Sequence, residues 1–403
     1  MRRALAQAGL AEGRTSPNPP VGAVLIRGGQ VVGEGHTAPV GGAHAEVNAL
    51  RQAGEAARGA TLFTTLEPCC HTGLTPPCTE AILAAGVARV VVAVRDPNPR
   101  VAGGGIGRLR SAGVPVELGD GAVEAHALYA PFAFWIIHRR PFVTAKYAMT
   151  LDGRIATRNG QSRWISGAPA RRLVHGWRDR SDAILVGAGT VLTDDPRLTT
   201  RLPAGERPPA HPLRILLDSH GRVPLNARLF DPTLPGRTIV AGTTEVPQTH
   251  EAALAERKVE LLRLPADAAG RVSLPALLAT LGEREITTLL VEGGAAVLGA
   301  FFAGDHVHRL HSFIAPKIVG GATAPGPVGD PGVLHMDEAR TPFDSQCQSV
   351  GDDWLISAEM IEPWTIGAPA PADGAAAAFP SDTLVSTQQK ALESTCSPAL
   401  SKS

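Results

Sequence analysis

Hydrophobic positions in the first third of the chain fall into short runs with two alternating periods. PVGAVLIRGGQVVGE (20–34) predicts two strands around an Arg-Gly-Gly turn. AHAEVNALRQAG carries helical spacing and stops at Gly54. ATLFTTLEP predicts a strand broken at Pro68, CTEAILAAG a short helix ending at Gly86, and VARVVVAVRD a buried strand. Strands alternating with helices imply a layered α/β domain. It closes near residue 140, where HRRP precedes a new strand, FVTAKYAMT.

The rest continues in the same style. DAILVGAG, LRILLD, RTIVAG and TTLLVEGG read as strands, with Pro/Arg-rich loops such as 201–212 between them. No internal repeat links the halves, so residues 1–140 and 141–366 are expected to form two different domains. GAPAPADGAAAAFPSD opens a low-complexity stretch without a hydrophobic face, and 367–403 is expected to be a disordered tail. The length of 403 residues suits two domains plus an extension.

Charge narrows the function classes. Lys+Arg and Asp+Glu balance at 38 each, which argues against a general nucleic-acid binder. The opening MRRALAQAGLAEG lacks a signal-peptide core, and no run is long enough to span a bilayer. The expected partner is a small molecule in the cytoplasm, without nucleic acid or membrane; a homo-oligomer is compatible with this. Of the five cysteines, Cys69, Cys70 and Cys78 crowd together while Cys347 and Cys396 stand alone. That clustering points to a metal site rather than a disulfide framework.

The metal candidates are His44, Cys69 and Cys78. One imidazole and two thiolates suit tetrahedral zinc and leave one position for water. Glu46 follows His44 by two residues at the opening of a helix, where it can sit beside the metal and shuttle protons. Cys78 begins a helix whose dipole favours a thiolate. His-x-Glu with Pro-Cys-x-x-Cys marks zinc nucleobase deaminases, but here eight residues separate Cys69 from Cys78. A structural site closed by Cys70 or His71 is the alternative; it leaves Glu46 unexplained.

TLEPCCHTGLTPPC resembles the TLEPC-x-H-x-G-x-TPPC segment of a bifunctional riboflavin-synthesis family. Its members join a diaminohydroxyphosphoribosylaminopyrimidine deaminase to a 5-amino-6-(5-phosphoribosylamino)uracil reductase. SPNPPVGAV, DPNPRVAGGGI and AGVARVVVAV match it too. The resemblance implies a cytidine-deaminase-like three-layer α/β/α domain followed by a dihydrofolate-reductase-like α/β domain. It implies zinc on His44, Cys69 and Cys78, Glu46 as catalytic proton shuttle, and substrate contacts at Asn18, His71, Asp96 and Asn98. Two positions depart from the family, which usually has basic residues where this chain has Leu74 and Gly104. A loss at position 74 bears on the substrate phosphate, and leaves a reading in which only the reductase is fully active. The family also often has His where this chain has Thr37, next to His36.

In the second half, Gly187-Ala188-Gly189-Thr190 and Glu292-Gly293-Gly294 are strand-to-helix turns able to receive phosphate. No G-x-G-x-x-G follows a first strand, so a standard Rossmann domain is not indicated. Residues 142–320 resemble the reductase half of the same family. That implies NADPH contacts at Ala148, Trp164, Thr190, Asp194, Ser219, Gly294, Ala295, Ala296, Val297, Leu298, Gly299 and Ala300. It implies substrate contacts at Ser162, Arg178, Leu198, Arg201 and Glu292. Arg178 and Arg201 would clamp a phosphate; Lys146, near the start of the first strand, would orient substrate or assist protonation. The rivals are a zinc deaminase of tRNA adenosine or free nucleosides, and a structural zinc module fused to a nucleotide-binding domain.

Overall fold

Helix α1 (Arg2–Ala11) leads into β1 (Gly22–Arg27) and β2 (Gln30–His36), an antiparallel pair around the expected turn. The order continues with α2 (Ala45–Ala53), β3 (Thr61–Leu66), α3 (Cys78–Ala84), β4 (Arg89–Val94), α4 (Gly104–Ser111) and β5 (Val116–Leu118). This computed structural model describes residues 1–362 except Arg100, Ala204 and Glu206; the tail expected at 367–403 lies outside the described residues. Among the described residues the first sheet runs β2-β1-β3-β4-β5, antiparallel as far as β3 and parallel beyond.

Two glycines set how closely helices seat on this sheet. A Cβ on Gly22 would lie 1.9 Å from the Ala4 carbonyl of α1, and one on Gly35 would lie 2.6 Å from the Ala45 carbonyl of α2. Gly35 pairs with Ala23, the neighbour of Gly22, so the two glycines face opposite sides. The sheet is therefore the middle of three layers.

Helix α5 (Ala122–His138) was not legible as a helix. AVEAHALYAPFAFWIIH is apolar on almost every side and contains Pro131, so it shows no amphipathic period. Its buried residues are Ala125, Tyr129, Phe132, Ala133 and Trp135, but apolar side chains also occupy its open side, where Val123 is 82% exposed, and that erases the period. The Tyr129 hydroxyl meets Thr65 Oγ1 of the first sheet, and Trp135 Nε1 donates to the Gly282 carbonyl of the second half at 3.1 Å.

The second half contains β6 (Phe142–Thr150), α6 (Ala168–Arg180), β7 (Ala183–Gly187), α7 (Ala188–Asp194), β8 (Leu213–Leu217), β9 (Thr238–Gly242), α8 (Gln248–Glu256) and β10 (Glu260–Arg263). It ends with α9 (Leu274–Glu283), β11 (Thr288–Gly293), α10 (Ala295–Ala303), β12 (Arg309–Ala315), β13 (Asp344–Val350) and β14 (Asp353–Glu359). Among the described residues the sheet order is β10-β9-β8-β7-β11-β6-β12-β14-β13. The strands are parallel from β10 through β12 and antiparallel for the last two. Leu185 and Leu289 enter one core, while their neighbours Ile184 and Leu290 enter another. Both faces of the central strands are covered, which is why they read as unbroken apolar runs.

The halves are clipped together by buried Asp179, which accepts from Arg14 Nη2 at 2.9 Å and Arg207 Nη2 at 2.7 Å. No described helix is long and apolar enough to cross a membrane.

Candidate functional sites

The metal candidates converge. His44 is the residue before α2, Cys69 follows the Pro68 break after β3, and Cys78 is the first residue of α3. His44 Nδ1 lies 3.2 Å from Cys78 Sγ and 3.5 Å from Cys69 Sγ. The three donor atoms all lie within 4.8 Å of one another. The Cys78 amide points at Cys69 Sγ, 3.3 Å away, as expected of a helix N-terminus beside a thiolate. The Cys78 hydrogen bond and His44 pull the Cys69 thiol down, while Cys78 is pushed up by its sulfur neighbour and by burial. A divalent cation held by both would let two adjacent thiols ionise together. One nitrogen and two sulfurs with a free fourth direction fit zinc with an open coordination position.

Cys70 does not close the site. Its sulfur sits where a Cβ on Gly104 would come within 2.8 Å, and among the described residues the donor group includes neither Cys70 nor His71.

Glu46 lies on the first turn of α2 and is 3% exposed. Burial, reinforced by the Cys69 charge, raises its carboxyl to about 7. Glu46 and His44 line a cavity of about 310 Å³ with Asn18, His71, Asp96 and Asn98, the four expected substrate contacts. Leu74 is at the rim, 82% exposed. Thr37 also lines the cavity, its hydroxyl accepting from the Val21 amide at 3.0 Å. His36 lies outside the lining, its Nδ1 3.2 Å from Gln7 Oε1.

Glu67 was missed from the sequence. Buried at 3% exposure, it accepts from the amides of Gly103 at 2.9 Å, Ile106 at 3.0 Å and Asp96 at 3.3 Å. It thereby ties both ends of the DPNPRVAGGG loop under the cavity. Burial raises the Asp96 carboxyl to about 7. Thr75 was also missed; its hydroxyl lies 3.5 Å from His44 Nε2 and orients the ring.

A second cavity of about 700 Å³ opens among β6, β7, β11 and the helices that follow. Such crevices lie at the carboxyl ends of parallel strands. Ala148, Trp164, Thr190, Asp194, Gly294, Ala295, Ala296, Val297 and Leu298 line it, and so do Ser162, Arg178, Leu198, Arg201, Glu292 and Lys146. Ser162 Oγ donates to Asp194 Oδ1 at 2.7 Å, and Thr190 Oγ1 donates to the Gly293 carbonyl at 3.2 Å. Gly293 and Gly294, with φ of 89° and 86°, make the left-handed turn that opens α10. The cavity's size and this turn fit a dinucleotide and its phosphates.

Three expected cofactor contacts lie outside this lining. Ser219 Oγ accepts from the Val272 amide at 3.0 Å. Gly299 is pressed on backbone, where a Cβ would lie 2.6 Å from the Gly329 and Asp330 carbonyls; Ala300 follows it along α10. The expected Arg178–Arg201 clamp is also revised. Arg178 is bound to Glu292 through Nε at 2.6 Å and Nη2 at 2.8 Å, so its charge is already matched. Of the two, Arg201 has the uncommitted charge, since its Nη1 donates only to the neutral Thr199 hydroxyl. Lys146 sits mid-strand in β6, not near its start, and desolvation lowers its ammonium despite Glu292 nearby.

Comparison with known proteins decides the family. The family model for the RibD C-terminal domain matches residues 141–356, and that for the cytidine and deoxycytidylate deaminase zinc-binding region matches residues 1–94. The Synechocystis riboflavin biosynthesis protein RibD is 42% identical over 357 residues, covering 89% of this chain and 94% of that protein. The Aquifex aeolicus RibD is 42% identical, covering 88% and 96%. The chain belongs to the RibD family of riboflavin biosynthesis proteins. The Acinetobacter baumannii RibD structure superposes with a TM-score of 0.78 at 36% identity, covering 89% of this chain and 97% of that one. A Thermotoga maritima deaminase/reductase structure gives 0.77 at 36% identity, covering the same shares.

A RibD chain is a bifunctional enzyme, a zinc-dependent deaminase followed by an NADPH-dependent reductase, and this chain carries both halves. Its folds are those of a cytidine-deaminase-like and a dihydrofolate-reductase-like domain. A lone nucleoside or tRNA deaminase, and a structural zinc module, are both set aside by the match along both halves.

Proposed function

We propose that the chain catalyses two consecutive steps, divided at residues 140 and 141. The first is hydrolytic deamination of 2,5-diamino-6-(5-phosphoribosylamino)pyrimidin-4(3H)-one to 5-amino-6-(5-phosphoribosylamino)uracil. The second is reduction of the ribose to ribityl. The observation that carries the first step is the buried Glu46 carboxyl, beside three metal-binding side chains and in one cavity with Asn18, Asp96 and Asn98. His44, Cys69 and Cys78 would hold the zinc, which when bound would supply a water acidic enough to ionise near neutral pH. Glu46 accepts a proton and returns it to the departing amino group, which leaves as ammonia while oxygen takes its place. Asn18, His71, Asp96 and Asn98 hold the pyrimidine and ribose, and Glu67 fixes the loop bearing Asp96 and Asn98.

In the second cavity, Ala148, Trp164, Thr190, Asp194 and the 294–298 turn hold NADPH, which supplies hydride. Ser162, Leu198 and Arg201 hold the substrate, with Arg201 facing its phosphate. Arg178 keeps Glu292 ionised and oriented, and Lys146 hands a proton to the opened ribose.

The location is the cytoplasm, where Cys69 and Cys78, both free thiols, stay reduced. The test is to supply the diaminopyrimidine substrate with and without NADPH and identify products. Ammonia and the aminouracil are expected without NADPH, and the ribityl compound with it. Ribityl product that still carries the second amino group would reverse the order.

A further inference from the structure

Among the described residues, the cavity around Glu46 contains a single Lys or Arg, and it comes from outside the zinc-site motifs. It is Arg139, the residue after α5. Its φ is +53°, in the left-handed region where helices ordinarily stop on glycine. Its amide closes α5 on the Trp135 carbonyl at 2.8 Å. Its carbonyl is pressed on Gly282 of the second half, where a Cβ would lie 1.9 Å away. A large side chain is thus kept where the backbone favours none, in a segment pinned from both sides.

The guanidinium is uncommitted. It donates no hydrogen bond and forms no ion pair with any described residue, but lies over the Trp135 ring, 4.9 Å from its centroid. Trp135 lines the same cavity and is itself anchored on Gly282. Of the other titratable side chains in the lining, Glu46, Glu67 and Asp96 are acidic and His71, with the metal candidate His44, is the remaining basic one, so Arg139 is the permanent cation there among the described residues. Position 74 supplies none, because Leu74 is apolar and 82% exposed at the rim.

We propose that Arg139 binds the 5-phosphate of the deaminase substrate, taking the part that a basic side chain at position 74 would play. Arginine over an aromatic ring matches phosphate oxygens in a fork and keeps its charge at any working pH. The assignment rests on the phosphoribosylaminopyrimidine substrate proposed above. It makes the segment entering the reductase half a specificity element of the deaminase.

The test is deaminase kinetics of wild type, Arg139→Gly and Arg139→Gly/Leu74→Lys. Each is measured on the phosphorylated substrate and on the same compound lacking the phosphate. Glycine suits the backbone at 139, and NADPH-dependent reduction of pre-deaminated substrate reports that the variant is folded. Arg139→Gly is expected to raise KM for the phosphorylated substrate roughly tenfold or more, with the change falling in KM rather than kcat. For the dephosphorylated compound KM should move little. Rising salt should narrow the gap, and Leu74→Lys should recover part of it. Equal KM shifts for both compounds, or none for either, overturn the assignment of Arg139 alone. A folded wild-type enzyme that leaves the phosphorylated compound untouched overturns the substrate assignment, and Arg139 falls with it.

Discussion

Arg178 and Glu292, 114 residues apart in sequence, form a two-pronged ion pair with side chains only 12% and 8% exposed. Burial alone would raise the Glu292 carboxyl; the Arg178 charge and hydrogen bonds reverse this and hold it at about 2. A depressed folded-state value means that the pair's stabilisation is complete above the ordinary 4.5 and fades as pH falls toward 2. Glu292→Gln strands the Arg178 charge and should destabilise the fold by about 3 kcal/mol near neutral pH. Urea midpoints measured from pH 7 to 3 should draw closer for wild type and variant as pH falls below 4.5, without meeting by pH 3. A gap that stays constant with pH would show that the carboxylate charge is not what matters.

Zinc content follows from the donor set. Purified protein should hold about one zinc per chain, and Cys78→Ser should lose both metal and deaminase activity. Elemental analysis decides it, and full occupancy in the variant removes Cys78 from the ligands.

Glu46→Gln should keep zinc and fold but lose deamination by roughly 100-fold or more. Reduction of pre-deaminated substrate should persist, because Glu46 is absent from the lining of the second cavity. Loss of both activities in a zinc-loaded, folded variant would sink the modular assignment.

Gly104 and Cys70 should be energetically coupled. A Cβ at 104 would meet Cys70 Sγ at 2.8 Å, so Gly104→Lys, which restores the family's usual basic residue, should require the Cys70 side chain to turn aside. Cys70→Ala should relieve this, giving a coupling on the order of 0.5–3 kcal/mol in a double-mutant cycle by chemical denaturation. Additive single effects would mean that the helix start simply moves.

What was legible and what was not separates by distance along the chain. The grouping of His44, Glu46, Cys69 and Cys78 could be anticipated because their placement depends on local events: a helix start, or a strand broken by proline. Strands β1–β4, β6–β9 and β11 and the glycine turn at 293–294 were legible for the same reason, whereas β5, β10, β12, β13 and β14 were not read from the sequence. Helix α5 escaped because apolar residues lie on its open side as well as its buried one, which leaves no polar face to set a period. Glu67 escaped because an acid after a strand says nothing of amides more than 25 residues away. The sequence by itself determined the candidates: three metal-donor side chains, an acid beside them, two α/β halves and the glycine turns of the second. Only tertiary structure decided which charges remain available. It paired Arg178 with Glu292, left Ser219 bonded to Val272 outside the cavity, and carried Arg139 to the Glu46 cavity. Such pairings follow from which strands and helices become neighbours, a consequence of sheet order and helix seating that no local run of residues encodes.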